Sequence, residues 1–194
     1  MAYIGFQKPK YCPFTVSTDE AGSDTETYGT AKTFAKGISL NSSLNTSKQK
    51  LYADDGVAEQ INEFVSGSMT VVVDELDNTV DADISGATVS TETGDITNKD
   101  TDTATFLRFG FIVRRFKNNK AAYRAQIYPK IMFDLPADDY ETKGESIVFK
   151  NTTLTAEIMR NKDGEWRLRS EWKDKLEDAV AWLDANIKPA TTTA

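Results

Sequence analysis

Phe106–Phe133 reads FLRFGFIVRRFKNNKAAYRAQIYPKIMF, and its alternation decides the fold class. In the first half Leu107, Phe109, Phe111 and Val113 share one face. Arg108, Gly110 and Arg114 lie on the other, beside Phe106, Ile112 and Phe116. A period of two is the signature of a strand. Lys117-Asn118-Asn119-Lys120 turns the chain, and Ala122–Phe133 returns with Tyr123, Ala125, Ile127, Ile131 and Phe133 on a shared face. The unit predicts a β-hairpin with one buried face. Pro129 has no N–H to donate, which places part of the return strand at an edge or a bulge.

Upstream, Lys50–Leu76 (KLYADDGVAEQINEFVSGSMTVVVDEL) joins a carboxylate-rich turn to a β-branched strand. Lys48–Tyr52 reads as a short extended piece, Asp54-Asp55-Gly56 as a turn, and Asn62–Asp74 as a long strand with Gly67 marking a bulge. Thr33–Leu40 reads as a strand with Phe34 and Ile38 on one face. Residues 1–30, with Pro9, Pro13 and the polar stretch STDEAGSDTETYG, read as irregular. A short helix is expected near 77–85, capped by Asp77 or Asn78 and ended by Gly86. The threonine-rich 87–104 reads as a projecting hairpin or arm.

Downstream, Leu135–Gly144 reads as a loop. Strands are expected over Glu145–Phe149, Thr152–Arg160 and Trp166–Trp172, with Asn161-Lys162-Asp163-Gly164 as a hairpin turn. Residues 174–187 predict an amphipathic helix with Leu176, Val180, Leu183 and Ile187 as its stripe and Trp182 beside it. Pro189 ends it, and the tail beyond reads as frayed. The expected fold is a single, mainly β domain over 1–194: an antiparallel sandwich or partly closed barrel with a helix covering one open side. A chain of 194 residues can bury about 70% of its unfolded surface, so it needs no staples.

The chemistry is defined by what is missing. There is no histidine, and Cys12 is the only cysteine. That excludes Ser-His-Asp and Cys-His nucleophiles, an intrachain disulfide and a Cys/His zinc site. No apolar run reads as a signal peptide or a membrane span. Asp54 and Asp55 are adjacent in a turn and point apart, so they do not form a proton-sharing pair. Asp81-Ala82-Asp83-Ile84-Ser85-Gly86 with Glu92 matches an EF-hand loop at several ligand positions. The exiting segment Val89–Thr97 is β-branched, however, and a helix ending at Gly86 explains the same letters. No catalytic residue, cofactor or metal site is expected.

Charge is unevenly spread along a chain of net charge −7. Residues 51–103 hold thirteen Asp/Glu against one Lys, and residues 104–135 hold seven Lys/Arg against one Asp. These regions either complement one another between copies or neutralise one another within one subunit. Overall acidity disfavours binding to nucleic-acid phosphate. The interleaved aromatics of the basic hairpin alternate as core residues do, not as a stacking platform for bases.

Several ordered blocks carry a family resemblance. They are ETYGTA (26–31), TSKQKLYADDGVAE (46–59), EFVSGSMTVVVDEL (63–76), Phe109–Val113 with Tyr123-Arg124, Pro129-Lys130, DDYETKGES (138–146) and AVAWL (179–183). In order and spacing the chain resembles the major tail proteins that build the tail tubes of siphophages of Gram-positive hosts. The resemblance implies a non-enzymatic virion protein, assembled in the host cytoplasm. It implies hexameric rings, with the inner sheets of neighbours joined into one barrel and the rings stacked through extended loops. Implied partners are further copies of itself, a tape-measure protein and tail initiator and terminator proteins. DNA passes through without specific binding, and no membrane is involved. Candidate contacts between subunits or rings are Tyr52, Asp54, Asp55, Arg108, Arg114, Arg115 and Arg124. The alternative is a monomeric calcium- or carbohydrate-binding β-sandwich module.

Overall fold

The computed structural model describes residues 2–20, 22–53, 56–117, 119–137, 142 and 151–189. Along the chain these form β1 (Ala2–Thr18), β2 (Asp24–Tyr28), β3 (Lys32–Thr33), β4 (Gly37–Ala53) and β5 (Gly56–Val73). Then come α1 (Asn78–Ser85), β6 (Thr88–Val89), β7 (Ile96–Thr97), β8 (Phe106–Lys117) and β9 (Lys120–Phe133). β10 (Thr152–Met159), β11 (Leu168–Arg169) and α2 (Leu176–Ile187) complete the fold. The fold is mainly β and antiparallel, as its alternation predicts. The principal sheet runs β2-β1-β8-β9-β10-β5-β4, with β3 beside β1 and β11 beside β9. β6 and β7 form a separate small hairpin in the threonine-rich segment.

The sheet curls without closing. Tyr128 on β9 donates from its hydroxyl to Ser42 Oγ on β4 (3.3 Å), across the interior from one leaf to the other. Between the leaves lies the main core, which includes Tyr11, Met69, Val71, Leu107, Phe109, Ile131 and Phe133. The Phe6 ring of β1 lies over Gly37 at the start of β4, yet no ladder joins β1 to β4.

The β8–β9 hairpin is present, and the Lys117↔Lys120 pair closes it. Asn119 takes φ 58°, a left-handed turn conformation that asparagine tolerates. Its burial differs from the expectation, because both faces are covered. Phe109, Phe111, Tyr128 and Ile131 face the main core. Ile112, Ala125 and Ile127 face a second core with Cys12 and with Ala179, Leu183 and Ile187 of α2. Pro129 does mark a bulge. Leu107 pairs with Ile131 and Phe109 with Tyr128, so Pro129 and Lys130 together oppose Arg108. The extra residue reverses the side-chain parity, which is why Ile131 and Phe133 do not share a face with Ala125 and Ile127.

Other departures have similar causes. Residues 2–18, expected to be irregular, form β1. Two bulges, at Tyr3/Phe6 and Gln7/Lys10, and left-handed Gly5 and Lys8 erase its period of two. The bulge in β5 falls at Val65, not Gly67: Asn45 pairs with Ser66 and Thr46 with Phe64. Phe64 thereby joins Gly67, Met69, Val71 and Val73 on the buried side, while Val65 is 59% exposed. A register shift between Gly37 and Ser39 turns Ile38 outward, away from Phe34. Lys48–Tyr52 is part of one long strand, β4. The 161–164 turn forms, with Gly164 donating to the Asn161 carbonyl (3.0 Å), but the chain then pairs with β9 rather than back with β10. The Asp54-Asp55 turn, the Glu145–Phe149 strand, most of 138–146 and the tail beyond Pro189 lie outside the described residues.

Both helices match their sequence signals. Asp77 caps α1 by accepting from Thr79 N (2.8 Å). Left-handed Gly86 (φ 79°) closes it, its N–H donating to the Ala82 carbonyl (2.8 Å). α2 lies directly on Gly110, where an added Cβ would stand 2.5 Å from Leu183 Cδ1 and 3.0 Å from Ile127 Cγ1. Gly110→Ala is therefore expected to destabilise the fold by about 1–3 kcal/mol through overpacking. Thermal denaturation followed by circular dichroism checks this, and an unchanged melting temperature would contradict the close helix–sheet contact.

Candidate self-assembly surfaces

Beyond Gly67, β5 has only β4 for a partner, because β10 pairs with it only over Gly67–Val73. The strands continue as a two-stranded ribbon to the Ala53↔Gly56 pair, a projection of about 30 Å. On one face stand Ser47, Gln49, Glu59, Ile61 and Glu63; on the other, Lys48, Lys50, Gln60 and Asn62. All nine are exposed, and Ile61 is 54% exposed. A lone ribbon in water is marginally stable. Its root is clamped: the Phe64 ring stacks on Trp166 (4.6 Å between centroids), Arg167 covers the far side of Trp166, and Arg160 donates to the Phe64 carbonyl. The outer edge of β4 has no ladder partner among the described strands. Tyr52 sits in the ribbon, paired with Val57. Asp54 and Asp55 lie outside the described residues.

The four candidate arginines separate into three environments. Arg108 is buried, with its Nε donating to the Asn186 carbonyl at the end of α2 (3.2 Å). That satisfies a helix C-terminus and removes Arg108 from the surface. Arg114 pairs with Tyr123 on the α2 side of the sheet, its guanidinium 6.0 Å from the ring centroid. Arg115 and Arg124 stand on the opposite side and converge on Trp172, at 4.0 and 4.5 Å from its ring centroid. The backbone explains the convergence. Arg115 pairs with Ala122 and Arg124 with Val113, which makes the arginines diagonal neighbours. Lys173 exchanges both backbone hydrogen bonds with Tyr123 (2.7 and 2.8 Å), bringing Trp172 alongside. Trp172 is not among the residues expected at a contact, because it reaches the hairpin only through this distant backbone pairing.

Among the described residues the acidic segment is partly neutralised by lysines of the N-terminal region. Lys32 Nζ lies 2.6 Å from Asp83 Oδ2, which also accepts from the Tyr11 hydroxyl (2.6 Å); Lys36 pairs with Asp74 at 3.5 Å. The EF-hand letters Asp81–Ser85 lie within α1. Asp81 and Ser85 share a helix face at i, i+4 while Asp83 points to the other side, so the three do not converge as loop ligands. A 260 Å³ hollow lined by Tyr11, Lys32, Asp77 and Thr79 adjoins the Tyr11–Asp83 contact. Burial, then the hydrogen bond and charge of Asp83, push the Tyr11 phenol well above its ordinary value. Tyr28 is raised likewise, by burial and by donating to Glu26 Oε2 (2.5 Å).

No model of a known protein family matches the sequence, and no curated protein matches it either.

The raised phenols make a pH prediction. Folding holds Tyr11 and Tyr28 protonated, so their contribution is complete below about pH 10, the ordinary tyrosine value, and is lost as pH rises above it. Tyr11→Phe should cost about 1 kcal/mol at neutral pH and flatten the fall of melting temperature above pH 10. Equal alkaline slopes for the two proteins would refute the Tyr11 assignment.

Proposed function

We propose that the chain is a structural virion protein that closes into hexameric rings and stacks them into a siphophage tail tube. The observation that carries this reading is the 17-residue edge strand β4, whose outer edge has no ladder partner among the described strands and which is prolonged into a ribbon with exposed residues on both faces. A long free edge invites pairing with another chain. In a closed ring each such edge finds its partner in the next subunit, and no edge is left over. The block resemblance supplies the identity of the assembly. The partners on this reading are further copies, a tape-measure protein and the initiator and terminator proteins. A net negative conduit repels DNA phosphate and lets the genome pass without adhering. Neighbours in such a ring should bury on the order of 2,000–5,000 Å² per interface.

Electron microscopy of concentrated protein, alone and beside an initiator complex, tests the reading. Rings or tubes are expected, and a strictly monomeric sample under both conditions would overturn it. The ribbon offers a sharper variant. Ile61→Lys alters an exposed side chain, so stability should stay within about 0.5 kcal/mol of wild type, while ring or tube yield falls. Normal assembly by this variant would remove the ribbon from the interface.

A further inference from the structure

Arg115 and Arg124 converge on Trp172 as a clamp. Two guanidinium groups share one indole ring, and among the described residues neither has a carboxylate at ion-pair distance. The Nε of Arg124 is buried without a hydrogen-bond acceptor. Stacking fixes each guanidinium plane and leaves its in-plane N–H groups as the remaining donors, a geometry suited to carboxylates. Lys120 and Lys173 add positive charge nearby, across from and beside the same strand end.

The location of the opposite charge is equally specific. β8 starts beside α1, where Thr105 N donates to the Ile84 carbonyl (3.1 Å), and ends at the arginine clamp. Nine residues of strand separate Phe106 from Arg115, about 30 Å. The first end carries α1, the β6–β7 hairpin and the 98–102 turn, where Glu92 and Asp100 are exposed. The β4–β5 ribbon leaves the sheet at the other end, since β5 runs parallel to β9 with β10 between them. Along the hairpin itself the charge is thus separated, with the carboxylates of the α1/β6–β7 region, and Lys99 among them, at one end and the paired arginines at the other, where Glu171 and Asp174 flank Trp172 and Lys173. About 30 Å is several Debye lengths at physiological salt, so the two ends do not neutralise each other within one chain.

We infer that the Arg115–Arg124–Trp172 clamp receives the acidic α1/β6–β7 end of a second copy, so that protomers meet head to tail along the strand axis. The inference rests on the self-assembly reading and adds to it the contacting surfaces and their polarity. Different surfaces meet at each such contact, so the contact repeats without limit along one direction. The net charge of the chain favours a protein carboxylate over nucleic-acid phosphate as the occupant.

The test uses full-length protein: wild type, Arg115→Glu/Arg124→Glu, the neutral pair Arg115→Gln/Arg124→Gln, and a quadruple variant that adds Glu92→Lys and Asp100→Lys to the Glu pair. Folding is verified by circular dichroism and by the protection of buried Cys12 from a thiol reagent. Sedimentation velocity reads self-association, and electron microscopy reads rings and tubes. Wild-type association is expected to weaken roughly tenfold between low and high salt. The Glu pair should lose end-to-end association while still forming single rings. The Gln pair should fall between, and serves in its place if the Glu pair does not fold. The quadruple variant should regain association, which a merely structural role for the arginines would not produce. Tubes of wild-type length from the Glu or Gln pair, or no recovery in the quadruple variant, overturn the inference and leave the ring reading standing. Salt-sensitive linear association by wild type without rings sustains the inference and overturns the ring reading. A wild type that stays monomeric at low salt overturns both.

Discussion

The β8–β9 hairpin is covered on both faces, and one bulge makes that possible. If Arg108 faced Pro129 alone, Lys130 would oppose Leu107 inside the main core and Ile131 would point away from it. The additional residue places Ile131 and Phe133 in the main core while leaving Ala125 and Ile127 against α2. Proline fits there because a bulge leaves an N–H without a ladder acceptor, and proline has none to leave. The helix approaches closely because Gly110 has no side chain, and buried Arg108 holds the helix end. Sheet curl, helix position and the direction in which the basic end projects all follow from this hairpin.

Where the sequence alternates without interruption, the fold is legible. β10, with Leu154, Ala156 and Ile158 buried between exposed Thr155 and Glu157, repeats the period of two faithfully, and β8 keeps the alternation of side-chain direction although both its faces are covered. A cap at Asp77 or Asn78, the four-residue spacing of Leu76, Val80 and Ile84, and a stop at Gly86 make α1 legible, and the cap used is Asp77. Legibility failed wherever a bulge changed parity. β1 has two bulges, two prolines and burial on both sides, with Tyr11 facing one core and Cys12 the other. No alternation survives such a strand. The strand expected over Trp166–Trp172 is present as β11, but only Leu168 and Arg169 keep strand geometry, and its partner is β9 and not β10 because that pairing is chosen by tertiary packing.

The candidate contact residues show the same division. The basic character of the hairpin was plain, but not which arginines act together. Strand parity separates Arg114 from Arg115, a distant backbone pairing supplies Trp172, and the helix end claims Arg108. Charge counted along the chain left open whether acidic and basic regions neutralise each other internally. Their distance along one hairpin, and the pairing of Asp83 and Asp74 with Lys32 and Lys36, weigh against the internal answer.

The bulge at Val65 stands between the packed sheet and the ribbon, and so separates two kinds of sequence constraint. Inward of it, parity is locked by Met69, Val71 and Val73. Outward of it Phe64 is the last buried side chain, and beyond Phe64 none of the described ribbon side chains is buried to fix which face is which. Gain or loss of one residue just beyond Phe64 would turn the outer ribbon over, exchanging its lysine face for its glutamate and isoleucine face, and leave the core untouched. A lineage could therefore change what its ribbon recognises in one step without refolding the domain that carries it.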